Sequence, residues 1–132
     1  MKNFQKKCKK NKKNRDFELL NISLIYGTFR MMNDISAYCY NSSGGFRYSS
    51  TWWFDMSGTP FRFSDVHNKF TVIGCNTLAY ILDNADKGYQ SGCVSTCQDL
   101  SDLADGSCSG MGCCQTAIPK GMGFYNVSFD GG

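Results

Sequence analysis

The sequence predicts a mainly β fold, a small cysteine-rich, disulfide-stabilised β domain with irregular loops, and three observations carry that prediction. Short alternating or β-branched and aromatic segments recur between Gly, Asn and Ser turns. Cysteines stand at 8, 39, 75, 93, 97, 108, 113 and 114, and the last five share one Gly- and Ser-rich stretch. Its large apolar side chains (Val94, Leu100, Leu103, Met111) are too few to hold it by burial, so cross-links substitute for core. Finally, 132 residues at 42% hydrophobic and 14% aromatic suffice for one folded domain and exclude a kinase, a barrel enzyme or a two-lobed catalyst.

Residues 1–15 read as a basic, disordered leader ahead of a body at 16–132. The leader holds eight of the 14 Lys and Arg residues and no acid, leaving six basic and 11 acidic residues, so the body carries 6 − 11 = −5. A net acidic body argues against a nucleic-acid partner. The run Lys6-Lys7-Cys8-Lys9-Lys10 is followed by no apolar stretch of secretory type, and no run of about 18 apolar residues could cross a bilayer. A nuclear-localisation or polyanion-binding arm is the alternative to a solvated leader.

Along the body, Leu20, Ile22, Leu24 and Tyr26 alternate, Gly27-Thr28 interrupts, and Phe29 and Met31 resume, predicting two short strands around a turn within 17–33. Cys39 to Gly45 reads as a loop. An aromatic stretch follows through Phe46, Tyr48, Trp52, Trp53 and Phe54, and Gly58-Thr59-Pro60 turns the chain. Phe61–Phe63 is a short strand candidate and Lys69–Cys75 the strongest one, rich in β-branched and aromatic residues. Leu78–Leu82 is an apolar run of ambiguous period, Asp83–Gly88 a polar loop, and Phe124–Phe129 a closing strand.

Few residues suggest chemistry. Cys93-x3-Cys97 and Cys108-x4-Cys113-Cys114 could supply thiolates to zinc, but a structural site uses two short knuckles, and the second group is a wider gap ending in adjacent cysteines. Disulfides are the preferred reading and no metal centre is expected. His67 follows Ser64 and Asp65, yet triads are set by geometry, and no Gly-x-Ser-x-Gly elbow is present. Asp99, Asp102 and Asp105 do not match a calcium-binding EF-hand loop and read as a solvated acidic segment. No catalytic residue is assigned; the remaining surface is a binding face. Trp52 and Trp53 offer stacking surfaces, on opposite sides if they lie in a strand, with Arg47, Arg62 and Lys69 near in sequence to meet carboxylates. Acceptor triplets at Asn21, Asn41 and Asn126 predict glycosylation and agree with an oxidising compartment. Because no export signal accompanies that chemistry, the expectation is that native upstream sequence is missing.

At Phe61-Arg62-Phe63-Ser64-Asp65-Val66-His67-Asn68-Lys69-Phe70-Thr71-Val72-Ile73-Gly74-Cys75 the sequence resembles the extracellular galacturonan-binding domain of plant wall-associated receptor kinases. Gly92-Cys93-Val94-Ser95-Thr96-Cys97 and the stretch from Asp105 through Cys108, Cys113-Cys114-Gln115 and Ile118-Pro119-Lys120-Gly121 agree, as do Leu19–Leu24 and Cys39-Tyr40-Asn41. The likeness covers roughly 17–130. It implies a non-catalytic, cysteine-rich β module at the outer face of the plasma membrane or cell wall, contacting pectin or oligogalacturonide, with membrane association only through flanking segments of a full-length receptor. Neither a membrane span nor a kinase is encoded here. Arg30, Arg47, Arg62, Lys69 and Lys120 are the expected cationic contacts to the polyanion, each worth up to ~1 kcal/mol at an exposed, salt-screened site. No cofactor is implied, although calcium bridging of Asp carboxylates to galacturonate is an alternative. With Cys8 in the leader, seven cysteines remain: Cys39, Cys75, Cys93, Cys97, Cys108, Cys113 and Cys114. A Cys39–Cys75 bridge is expected, and one of the other five then has its partner outside the chain. A secreted protein–protein interaction module and a small nuclear zinc protein are the rival functions.

Overall fold

The computed structural model describes residues 18–41, 43–83, 88–97 and 108–130. The chain divides into two compact units, Met1–Ser50 and Thr51–Gly132. The mainly β expectation holds: the described residues form ten strands and no helix. The Lys-rich leader and Asp99, Asp102 and Asp105 lie outside the described residues.

The first unit contains two hairpins. Strands β1 (Leu19–Ser23) and β2 (Thr28–Met31) pair antiparallel, closing at Ser23 opposite Thr28. Gly27, at φ 59°, supplies the left-handed residue that returns the chain. Strands β3 (Ala37–Tyr40) and β4 (Phe46–Ser50) also pair antiparallel. Asn41 sets their connection: its Oδ1 accepts from the backbone N–H of Ser43 at 2.9 Å and of Gly45 at 2.8 Å. The loop expected from Cys39 therefore begins at Asn41, and Cys39 and Tyr40 belong to β3, where Tyr38, Tyr40 and Phe46 bring their rings to 5.1 and 5.2 Å.

The second unit has two layers. Strands β5 (Trp53–Asp55), β7 (Thr77–Leu82), β8 (Gln90–Ser95) and β10 (Phe124–Phe129) form an antiparallel sheet in the order β5-β10-β7-β8. Strands β6 (Lys69–Ile73) and β9 (Cys113–Ala117) form a separate ribbon. Alternation turns Ala79 and Ile81 of β7 and Cys93 and Ser95 of β8 to the inner face, where all four are buried. Val72, Ala79, Cys93 and Cys114 make one buried cluster with Phe70 and Phe129 against it. Ile81, Ile118 and Met122 make a second, flanked by Phe63, Phe70 and Tyr125. Phe70 is common to both clusters, so one β6 side chain joins them. The β6–β7 connection carries Gly74 at φ 152° and Asn76 at φ 52°, and the fully buried Ser95 hydroxyl donates to the Gly74 carbonyl at 2.7 Å.

Phe61–Phe63 is not a strand: the segment after Pro60 is irregular, and Arg62 Nη1 donates to the carbonyls of Thr59 at 2.7 Å and Phe61 at 2.6 Å, taking acceptors that a ladder would use. Strands β8 and β9, by contrast, occupy cysteine-rich sequence read only as cross-linked loop.

The bridges are Cys75–Cys97, Cys93–Cys114 and Cys108–Cys113. This corrects the expected Cys39–Cys75 pair, and register is the reason. Thr77 lies opposite Ser95 in the β7–β8 ladder, so two residues further out Cys75 meets Cys97, with Cα atoms 4.9 Å apart. All five clustered cysteines find partners within the chain, which removes the expected unpaired one. None of the described cysteines is free, and Cys39 is itself disulfide-bonded.

Candidate functional site

The inner layer leaves the sheet's outer face with a different surface. Trp53 and Asp55 of β5, Phe124, Asn126 and Ser128 of β10, Leu78, Tyr80 and Leu82 of β7, and Val94 of β8 alternate with the inner residues and share that face. Trp53 stays 61% exposed and stacks on Phe124 with ring centroids 6.5 Å apart. Tyr80 lies over Gly92, where an added Cβ would come within 2.8 Å of the ring. Sequence reading found Trp53 but not Phe124, Tyr80 or Leu82, and the missed signal was alternation within the two apolar runs.

Trp52 departs from its neighbour. It is half-buried beside Tyr125, whose phenol pKa burial pushes up to about 12. Deprotonating Tyr125 is thus disfavoured in the fold, so its contribution to stability is present below about pH 10 and is lost as pH rises through about 12. Trp52 accordingly serves the interior.

Three of the predicted cations lie on adjoining segments of the second unit. Lys69 opens β6 opposite Ala117 of β9. Lys120 lies in the turn just beyond β9. Arg62 follows it in space: the Phe63 N–H donates to the Met122 carbonyl at 2.9 Å, and the Arg62 side chain would touch a Cβ on Gly123 at 3.4 Å. All three are exposed. Arg30 and Arg47 are exposed on β2 and β4 of the other unit. Of the three acceptor asparagines, Asn21 lies on β1, Asn41 at the β3–β4 connection and Asn126 on β10.

Nearby polar groups have local tasks. Asp55 accepts from the Ser57 hydroxyl and from its backbone N–H at 2.8 Å, both of which hold its pKa below the usual value. Ser64 Oγ accepts from the His67 backbone N–H at 3.2 Å, and the Ser64 carbonyl accepts from the Asn68 backbone at 3.1 Å, so Ser64, Asp65 and His67 make a turn. Among the described residues no three His, Cys, Asp or Glu side chains converge as metal ligands. Cystine formation at 93, 97, 108, 113 and 114 consumes the thiolates on which the zinc reading depended. No helix among the described residues is long and apolar enough to cross a membrane.

Fold and surface together define a cystine-stapled β module with an aromatic outer face and three exposed cations on adjoining segments. The chain matches a segment of the wall-associated receptor kinases. It is 37% identical over 111 residues to wall-associated receptor kinase 2 of Arabidopsis thaliana, which covers 83% of this chain and 14% of that protein. It is 35% identical over 98 residues to wall-associated receptor kinase 4 of the same plant (74% and 13%), and 31% over 113 residues to wall-associated receptor kinase 5 (84% and 15%). The likeness read from the motifs is therefore borne out, and the chain spans 13–15% of the length of these curated relatives. No protein-family profile and no solved structure matches it.

Proposed function

We propose that this chain is a non-catalytic module that binds anionic wall polysaccharide, namely pectin or oligogalacturonide, at the outer face of the plasma membrane. The observation that carries the reading is the placement of the exposed Arg62, Lys69 and Lys120 on adjoining segments of a fold related to wall-associated receptors. The body is net acidic, so a polyanion needs such a local concentration of positive charge. Arg62 is the best prepared of the three, because its bonds to two backbone carbonyls fix the guanidinium before any ligand arrives. Arg30 and Arg47 supply a separate cationic contribution, and Trp52, half-buried beside Tyr125, supports the interior. Kinase activity belongs to the named relatives and is not proposed for this chain.

The test is retention on immobilised polygalacturonate across a salt series. Replacing Arg62, Lys69 and Lys120 together by Ala is expected to weaken binding about 10-fold at low salt, three exposed contacts of roughly 0.5 kcal/mol each, with the difference shrinking as salt rises. Equal retention of the triple variant and the parent would overturn the assignment. Binding that requires calcium and survives the triple substitution would instead assign recognition to carboxylate–calcium bridges.

A second reading, protein–protein contact, is favoured by the β1–β2 tip, where Leu24 and Ile25 are 90% exposed and Tyr26 is 81% exposed. A partner captured through this tip, unaffected by added oligogalacturonide, would support it.

A further inference from the structure

The acceptor triplet Asn126-Val127-Ser128 lies in the middle of the outer face. Asn126 is the Cα partner of Trp53 on one side and of Leu82 on the other, and Ser128 is the partner of Tyr80. Strand alternation puts Asn126, Ser128 and Phe124 on one side of β10, with Val127 turned to the opposite side. The Asn126 side chain thus stands beside the Trp53–Phe124 stack. The other two triplets have different surroundings: Asn41 commits its carboxamide oxygen to the Ser43 and Gly45 backbone, and Asn21 pairs with Arg30 on the two-stranded ladder.

We propose that Asn126 carries an N-linked glycan whose first sugars lie across Trp53 and Phe124, so that the chain provides the cover for its own aromatic face. The inference rests on the extracellular part of the proposed function, since the sugar is added only on the secretory route, and is independent of pectin binding. N-acetylglucosamine suits the site because one side of its ring presents C–H groups to an aromatic surface while its hydroxyls remain in water. In the transfer, Asn126 Nδ2 bonds to the anomeric carbon of the first sugar as the bond from that carbon to the diphosphate of a lipid-linked oligosaccharide breaks. The nitrogen releases one proton and the carrier departs as its diphosphate. Because Asn126 points to the outer side, the glycan leaves the Ala79, Ile81 and Cys93 interior undisturbed. Trp53 is then shielded by the chain's own sugar, which leaves external polysaccharide to the exposed cations Arg62, Lys69 and Lys120.

The experiment secretes the full chain from a eukaryotic host behind an added signal peptide, maps glycopeptides by mass, and measures acrylamide quenching of tryptophan fluorescence. The parent is compared with Asn126→Gln and with Ser128→Ala, which abolishes the acceptor triplet while keeping Asn126. Expected are an occupied Asn126 and quenching about twofold weaker in the parent than in either variant, the difference disappearing when the glycan is enzymatically removed. An unmodified Asn126 in the secreted chain overturns the proposal, whatever the state of Asn21 and Asn41. Equal quenching in parent and variants overturns the seating of the sugar on the ring stack. Polygalacturonate retention measured on the same preparations reports separately on pectin binding.

Discussion

The β1–β2 hairpin and the β7–β8 ladder use the same antiparallel pairing, yet water reaches them very differently. The hairpin pairs Leu19–Ser23 with Thr28–Met31, contains no cysteine, and exposes Leu24 and Ile25 at 90%. The ladder pairs six residues on each side, buries Ala79 at 1% and Ser95 at 0%, is closed beyond its end by Cys75–Cys97, and is tied to β9 by Cys93–Cys114. Ladder hydrogen bonds alone leave a two-stranded unit marginal in water, because they replace bonds to solvent of nearly equal worth. What distinguishes β7–β8 is a second layer and covalent closure. Closing a loop of 21 residues removes about 3 kcal/mol of unfolded-chain freedom in the entropic account, as much as fully burying one large apolar side chain. In a core as small as Val72, Ala79, Cys93 and Cys114, that is a deciding contribution.

The contrast is tested most severely at its buried cystine. Replacing Cys93 and Cys114 together by Ala should destabilise the second unit by about 2–5 kcal/mol, read as a lower urea midpoint of tryptophan fluorescence, since both tryptophans lie in that unit. A shift under about 0.5 kcal/mol would show that the layers hold by packing alone. Gly92→Ala comes next: the new Cβ would sit 2.8 Å from the Tyr80 ring, and displacing that ring should cost about 1–3 kcal/mol. An unchanged midpoint would mean that Tyr80 is held only loosely on the outer face. The smallest effect belongs to the hairpin, where Leu24→Ser at the open tip should move stability by no more than about 0.5 kcal/mol. A larger loss would give that tip a structural contact and reduce the difference between the two regions.

The same contrast explains which parts of the structure were legible in the sequence. Strand β10 coincides with the run Phe124–Phe129, and β1–β2 followed from alternation broken at Gly27, because local pattern and local structure agree there. Leu78–Leu82 had ambiguous periodicity because apolar residues occupy both faces: Ala79 and Ile81 meet the second layer, whereas Leu78, Tyr80 and Leu82 line the outer side. Strands β8 and β9 were missed because Cys, Ser, Gly and Gln are weak strand signals. Counting cysteine as apolar would have exposed the alternation Cys93-Ser95-Cys97 and Cys114-Thr116-Ile118. The Cys75–Cys97 pairing was beyond reach, since it depends on the Thr77–Ser95 register, a property of two strands together. The candidate cations were readable as residue types but not by their placement, since only the return of the chain through Met122 and Gly123 brings the Arg62 segment against the one that follows Lys120.

The order of the bridges along the chain has one more consequence. Cys75–Cys97 and Cys93–Cys114 overlap, each beginning before the other has closed. One peptide-bond cleavage anywhere between Cys75 and Cys114 therefore releases no fragment, because a sulfur link always spans the break. A protease that nicks this region once leaves a molecule of unchanged mass apart from one added water, and the pieces separate only after reduction.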